Sequence, residues 1–138
     1  MKSRAPLALM EQTVMVLVFA LAAALCLRAF VLADGISRRV EATDRAVLWA
    51  ESAADTLKAR KGDLARAAAE LGGEVDGQRW TISLDENWQE TAGEPTYTLT
   101  AQPIESDQPL LGKAQIDVAQ KNGESLFSLE VCWQEAKT

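Results

Sequence analysis

The stretch LALMEQTVMVLVFALAAALCLRAFVLA, residues 7–33, decides how the rest of the chain is read. Sixteen uncharged residues, 12–27, separate Glu11 from Arg28, and only Gln12 and Thr13 among them are polar. A helix rises about 1.5 Å per residue and needs roughly 20 mostly apolar residues to cross a bilayer core. Residues 12–27 alone are slightly short. They suffice when Arg28 snorkels toward the headgroups while residues 29–33 still lie in the interface. The reading is a transmembrane helix over residues 7–33, preceded by a short basic leader, residues 1–6, and followed by one exterior domain, residues 34–138.

Charge supports that division. Residues 1–33 carry Lys2, Arg4 and Arg28 against Glu11, a net +2; with −6 over the whole chain, residues 34–138 carry −8. An acidic domain of this size repels nucleic acid and anionic lipid alike, so neither is expected as its partner. Lys2 and Arg4 precede the apolar run with no acid beside them, which places the N-terminus in the cytoplasm and the domain outside the cell membrane. A cleaved signal peptide competes for Lys2, Arg4 and the Ala-rich run. Glu11 interrupts such a peptide, and the sequence after residue 33 continues as helix rather than loop, so the retained single-pass helix is preferred.

The remaining composition excludes much chemistry. The chain contains no histidine, which removes the commonest general base and metal ligand. Cys26 lies in the membrane segment and Cys132 near the C-terminus, so no disulfide joins them. Asp85, Glu86, Glu105 and Asp107 fall in polar loops without the spacing of a calcium loop. Gly72-Gly73 follows a helix instead of opening one, which is wrong for a phosphate loop. The reading is a protein that is not an enzyme, with no cofactor and no metal site.

Beyond the membrane segment, Asp34-Gly35 is a mild interruption. Ile36, Val40, Thr43, Val47, Ala50, Ala54 and Leu57 then recur at spacings of 4 and 3, which predicts an amphipathic helix over about 36–60. Trp49 flanks this stripe. Asp63 caps a second helix, about 63–71, ended by Gly72-Gly73. From Arg79 the period changes to two. Alternating apolar residues predict four strands over about 79–84, 96–102, 112–119 and 126–134. Trp80 and Trp133 lie on their apolar faces, whereas Trp88 falls in the polar loop of residues 85–95 and is the better candidate for an exposed contact. Pro103 and Pro109 bound a second loop and stop the strands on either side.

Asn122-Gly123 predicts a two-residue hairpin turn that sets Lys121 opposite Glu124. Val118 then faces Phe127, Ile116 faces Leu129, Ala114 faces Val131, and Asp117 faces Ser128. A one-residue slip would place these apolar residues against polar ones. A long helix and a sheet with one apolar face bury both by lying against each other. The fold class is therefore α+β: a transmembrane helix continuing into a long amphipathic helix on a four-stranded antiparallel sheet.

The N-terminal segment also resembles a known family. A short basic leader, four mostly apolar residues, Glu11 and a long apolar run are similar to the start of type IV pilins and type II secretion pseudopilins. In that family a prepilin peptidase leaves the glutamate as the fifth residue of the mature chain, which here implies a cut between Pro6 and Leu7. The family usually has Gly, sometimes Ala, before the cut and often Phe after it, where this chain has Pro6 and Leu7. The resemblance implies a pilin-like fold, pilin-like subunits as partners, and pairing of Glu11 with the N-terminal amine of a neighbouring subunit. Without the cut, Lys2 or Arg4 is the alternative counter-ion. A carboxylate near lipid costs several kcal/mol unless paired or solvated, which by itself singles out Glu11. The function expected is a structural subunit, of minor abundance, in a pilus-like or pseudopilus-like assembly. The alternative is a single-pass adaptor of an envelope complex, which needs no cut.

Overall fold

The structure, a computed structural model, describes residues 5–135. Lys2 and Arg4 of the leader lie outside the described residues. The chain divides into two compact units, residues 1–40 and 41–138. Helix α1 (Ala5–Ala59) supplies all of the first unit's described residues and the opening helix of the second.

In the first unit every described side chain is exposed, including the whole apolar run. The interruption expected at Asp34-Gly35 does not occur, and one helix runs through it. A single interior glycine costs a helix about 1 kcal/mol, too little to end one with good formers on both sides. Asp34 also pairs with Arg38 one turn later at 3.2 Å, an exposed i,i+4 contact worth a few tenths of a kcal/mol.

In the second unit the rest of α1 is followed by α2 (Leu64–Leu71). Asp63 caps α2 as expected, its side chain accepting from the Arg66 N–H at 3.2 Å. The sheet has five strands, where the alternation predicts four: β1 (Glu74–Asp76), β2 (Arg79–Leu84), β3 (Tyr97–Ile104), β4 (Leu111–Gln120) and β5 (Ser125–Gln134), antiparallel and adjacent in chain order. The additional strand, β1, is three residues long and wholly exposed, so it carries no apolar alternation to read. It is held by pairing alone, with Glu74 opposite Thr81 and a tight turn at Gly77-Gln78. Gly73 admits β1 to the edge: φ is +91°, and a Cβ there would fall 2.5 Å from the Thr81 carbonyl oxygen.

The core lies between α1 and the inner face of the sheet. Trp80, Ile82, Leu84, Leu99, Ala101, Ala114, Ile116 and Val118 are fully buried. The helix meets them with Ala46, Ala50, Ala53 and Leu57, and Ala42 on the same line is also buried. This line coincides with the predicted stripe at Ala50 and Leu57 but is displaced by one residue from Thr43, Val47 and Ala54. Ile36 and Val40 are more than half exposed. The large residues belong to the strands, so the helix supplies alanines that admit it to the sheet, and close packing decides the face. Trp49 flanks this core and is partly buried.

The apolar pairs of the last hairpin are as predicted, with Val118 opposite Phe127, Ile116 opposite Leu129, and Ala114 opposite Val131. The turn is different. Gln120 N–H donates to Glu124 C=O and Gly123 N–H to Gln120 C=O, both at 2.9 Å, which makes a three-residue loop with Gly123 at φ +89°. That loop alone would slip the register by one. A bulge next to Val118 restores it, with Ala119 opposite Ser125 and Leu126 the extra residue. Leu126 and Phe127 consequently both pack on the core. Pro103 does not stop β3, which continues to Ile104. It pairs with Ala114 on one side, and on the other β2 has already begun at Arg79, so its missing N–H deprives no neighbour.

Ala46→Leu should force the helix off the sheet and lower stability by about 1–3 kcal/mol. Val40→Ala, on an exposed position, should stay within about 0.5 kcal/mol of the parent. Denaturant unfolding followed by tryptophan fluorescence measures both.

Candidate functional site

Pro6, Leu7 and Glu11, the residues singled out from the sequence, fall in the first two turns of α1. Proline is compatible with a helix's first turn, where its missing N–H has no intrahelical acceptor and its fixed φ is already helical. The Pro6-Leu7 bond is therefore inside the helix. Leu7 and Glu11 are one turn apart on the same face. Glu11 sits in a shallow apolar surface made with Leu7, Ala8, Met10, Val14 and Met15. Among the described residues no cation pairs with it. The Thr13 hydroxyl, two residues on, donates to the Leu9 carbonyl at 2.8 Å. The surface thus offers one carboxylate surrounded by methyls and thioethers, and what it can do is attract a cation or amine brought by another molecule.

The domain's loops use their polar groups internally. Asp85 Oδ1 accepts from the N–H groups of Asn87 at 2.8 Å and Gln89 at 3.0 Å, closing a tight loop. This loop holds Trp88 at φ +61°, unusual for a bulky residue. The indole stacks on Tyr97 with centroids 3.8 Å apart and planes inclined by 14°. Trp88 is therefore a half-buried lid on the end of the core, which corrects its assignment as an exposed contact. An aromatic in a polar stretch gives no sign of its stacking partner until β3 brings Tyr97 alongside. Trp80 donates from Nε1 to the Gly72 carbonyl at 2.8 Å, and Trp133 is buried between Gly62 and Gly112. Glu105 and Asp107 are exposed on the β3–β4 connection, and Cys26 and Cys132 are both free thiols.

One arrangement was not anticipated. Glu90 Oε1 accepts from the Gly73 N–H at 2.8 Å, while Thr91 N–H donates to the Ser83 carbonyl at 2.9 Å. The segment after the Trp88 loop thus completes the row begun by β1 along the edge of β2. The dipeptide Gly72-Gly73 was the only hint of this close approach.

No family model, curated protein or solved structure matches the chain. What the fold defines is an α+β protein whose N-terminal helix is long and apolar enough to cross a bilayer once.

Asp85→Ala should remove the two hydrogen bonds that close the exposed loop, handing their donors to water, and release Trp88. A loss of about 1–2 kcal/mol is expected, with a red shift of the tryptophan emission as the stack on Tyr97 opens.

Proposed function

We propose that this is a single-pass membrane protein that acts as a structural subunit of a pilus-like or pseudopilus-like assembly, as a minor component. The observation that carries the reading is the lone carboxylate of Glu11 on the fully exposed apolar part of α1. In hydrocarbon or at its boundary such a group is stable only with a counter-charge or water, and a neighbouring subunit can bring that charge. The resemblance of the N-terminal segment to type IV pilins and type II secretion pseudopilins names the neighbour: a pilin-like chain whose new N-terminal amine, on Leu7, meets Glu11 after a prepilin peptidase cuts behind Pro6. In this reading the N-terminus is cytoplasmic and the sheet domain extracytoplasmic.

A second reading is favoured by Pro6. It departs from the residues usual before the cut, and its bond to Leu7 lies within helix. An uncut chain would be a permanently anchored adaptor that docks an envelope partner through its α+β domain. Glu11 would then be neutralised by Lys2 or Arg4.

The intact mass of the protein from its native membrane separates the two. The subunit reading expects a mass short by residues 1–6, and loss of assembly in Glu11→Ala as followed by co-purification of pilin-like subunits. A full-length mass together with normal assembly of Glu11→Ala would refute it and leave the adaptor.

A further inference from the structure

The sheet of the second unit ends in two unlike edges. On one side β1 is three residues long and carries Glu74 and Asp76, and Glu90 and Thr91 continue the row beside β2. A short, charged edge of this kind resists pairing with another chain. The other edge is β5, ten residues long and last in the strand order. From Phe127 to Gln134 it contains no proline and one charge, Glu130.

The direction of its backbone groups follows from the ladder. Glu135 N–H donates to the Leu110 carbonyl at 2.9 Å, and Gln134 stands opposite Leu111. Hydrogen-bonded and non-hydrogen-bonded pairs alternate in an antiparallel ladder. Trp133, Val131, Leu129 and Phe127 therefore turn their main-chain N–H and C=O toward β4. The far side of β4 agrees. Lys121 N–H donates to the Thr96 carbonyl at 2.9 Å, so Asp117, Gln115 and Lys113 bond to β3 and leave Val118, Ile116 and Ala114 for β5. The main-chain groups of Ser128, Glu130, Cys132 and Gln134 consequently point away from the sheet. Among the described residues no turn, loop or side-chain hydrogen bond takes them up. Ser128, Glu130 and Gln134 are exposed, and beside them Phe127 and Leu129 are only half-buried on the core face.

We propose that this edge accepts an extended segment of another protein as an additional antiparallel strand. The inference concerns the second unit and holds for a subunit and an adaptor alike. Main-chain hydrogen bonds give such docking its affinity, and alternate side chains give it selectivity. The residue opposite Glu130 shares the outer face with it, so a lysine or arginine is favoured there. Its two neighbours in the incoming strand lie on the core face, opposite Leu129 and Val131, and are apolar. The partner is thus a strand with a basic residue between two apolar ones. A second copy of this chain fits worse. Symmetric pairing of β5 with β5, centred on Leu129, Glu130 or Val131, sets the two Glu130 carboxylates opposite or diagonal to each other. It also joins two domains of −8.

The test measures residue-resolved amide exchange by NMR on the full chain in detergent, alone and with the peptide KTVTVKVTVK. In the chain alone, the amides of Ser128, Glu130, Cys132 and Gln134 should exchange about tenfold faster than those of Leu129 and Val131. The peptide should slow those four. The same peptide with glutamate for its central lysine should bind about fivefold more weakly, and Glu130→Lys should reverse the order. No slowing at millimolar peptide, or slowing at residues 74–76 instead, overturns the proposal. So does an unchanged lysine preference in Glu130→Lys, which would show attraction to the domain's overall charge without a site. If the four amides are already slow in the chain alone and quicken on dilution, the occupant is a second copy and the proposal falls.

Discussion

The constraint on which the domain depends is the closeness of α1 to a sheet that already carries the large side chains. Trp80, Leu99, Ile116 and Val118 fill the inner face, and all are completely buried. A helix with equally large residues would be held away from them. Ala46, Ala50 and Ala53 leave it nothing to be held away by, and its bulk comes from Leu57, near the helix end, with Trp49 at the flank. The interior is filled to the density of an organic solid by unequal partners, a knobbed sheet and a smooth helix. The same division explains the unequal halves of α1. Its first half is mostly apolar and exposed, while its second half mixes charged and apolar residues and buries the alanine line.

A second constraint is the alternation of the last two strands. Turn chemistry and side-chain pairing disagree by one residue at the end of β4. The pairing prevails along the strands, because a slip would turn Ile116, Val118, Leu129 and Val131 toward polar partners, at about 1 kcal/mol or more for each buried side chain. A bulge at Leu126 reconciles the two at the cost of one unpaired residue. The bulge also brings Leu126 and Phe127 to the same side. A local preference worth a few tenths of a kcal/mol gives way to a set of buried contacts worth several.

The proposed assembly surface lies on the first unit and is made of side chains one helical turn apart. Glu11 with Leu7 and Met15 is such a set. Their juxtaposition follows from helical spacing alone, so the carboxylate site was legible as sequence. Gly35 reads as a mild helix interruption until the uninterrupted helix removes that explanation.

The sequence by itself determined the division into an apolar N-terminal helix and an acidic α+β domain, the two helices, four of the strands and the apolar register of the last hairpin. These rest on periodicity over many residues, and a long pattern tolerates local exceptions. The tertiary structure decided the rest: the helix face that is buried, the exposed strand β1, the continuation of β3 through Pro103, the three-residue turn with its bulge, and the stacking of Trp88 on Tyr97. Each depends on what stands opposite in space. Alanine is too weakly apolar to declare a buried face, a three-residue exposed strand has no pattern, and a proline is harmless only where the neighbouring strand is absent. Those facts become available when the sheet has formed, because the free energy that selects them is that of contacts between residues distant in the chain.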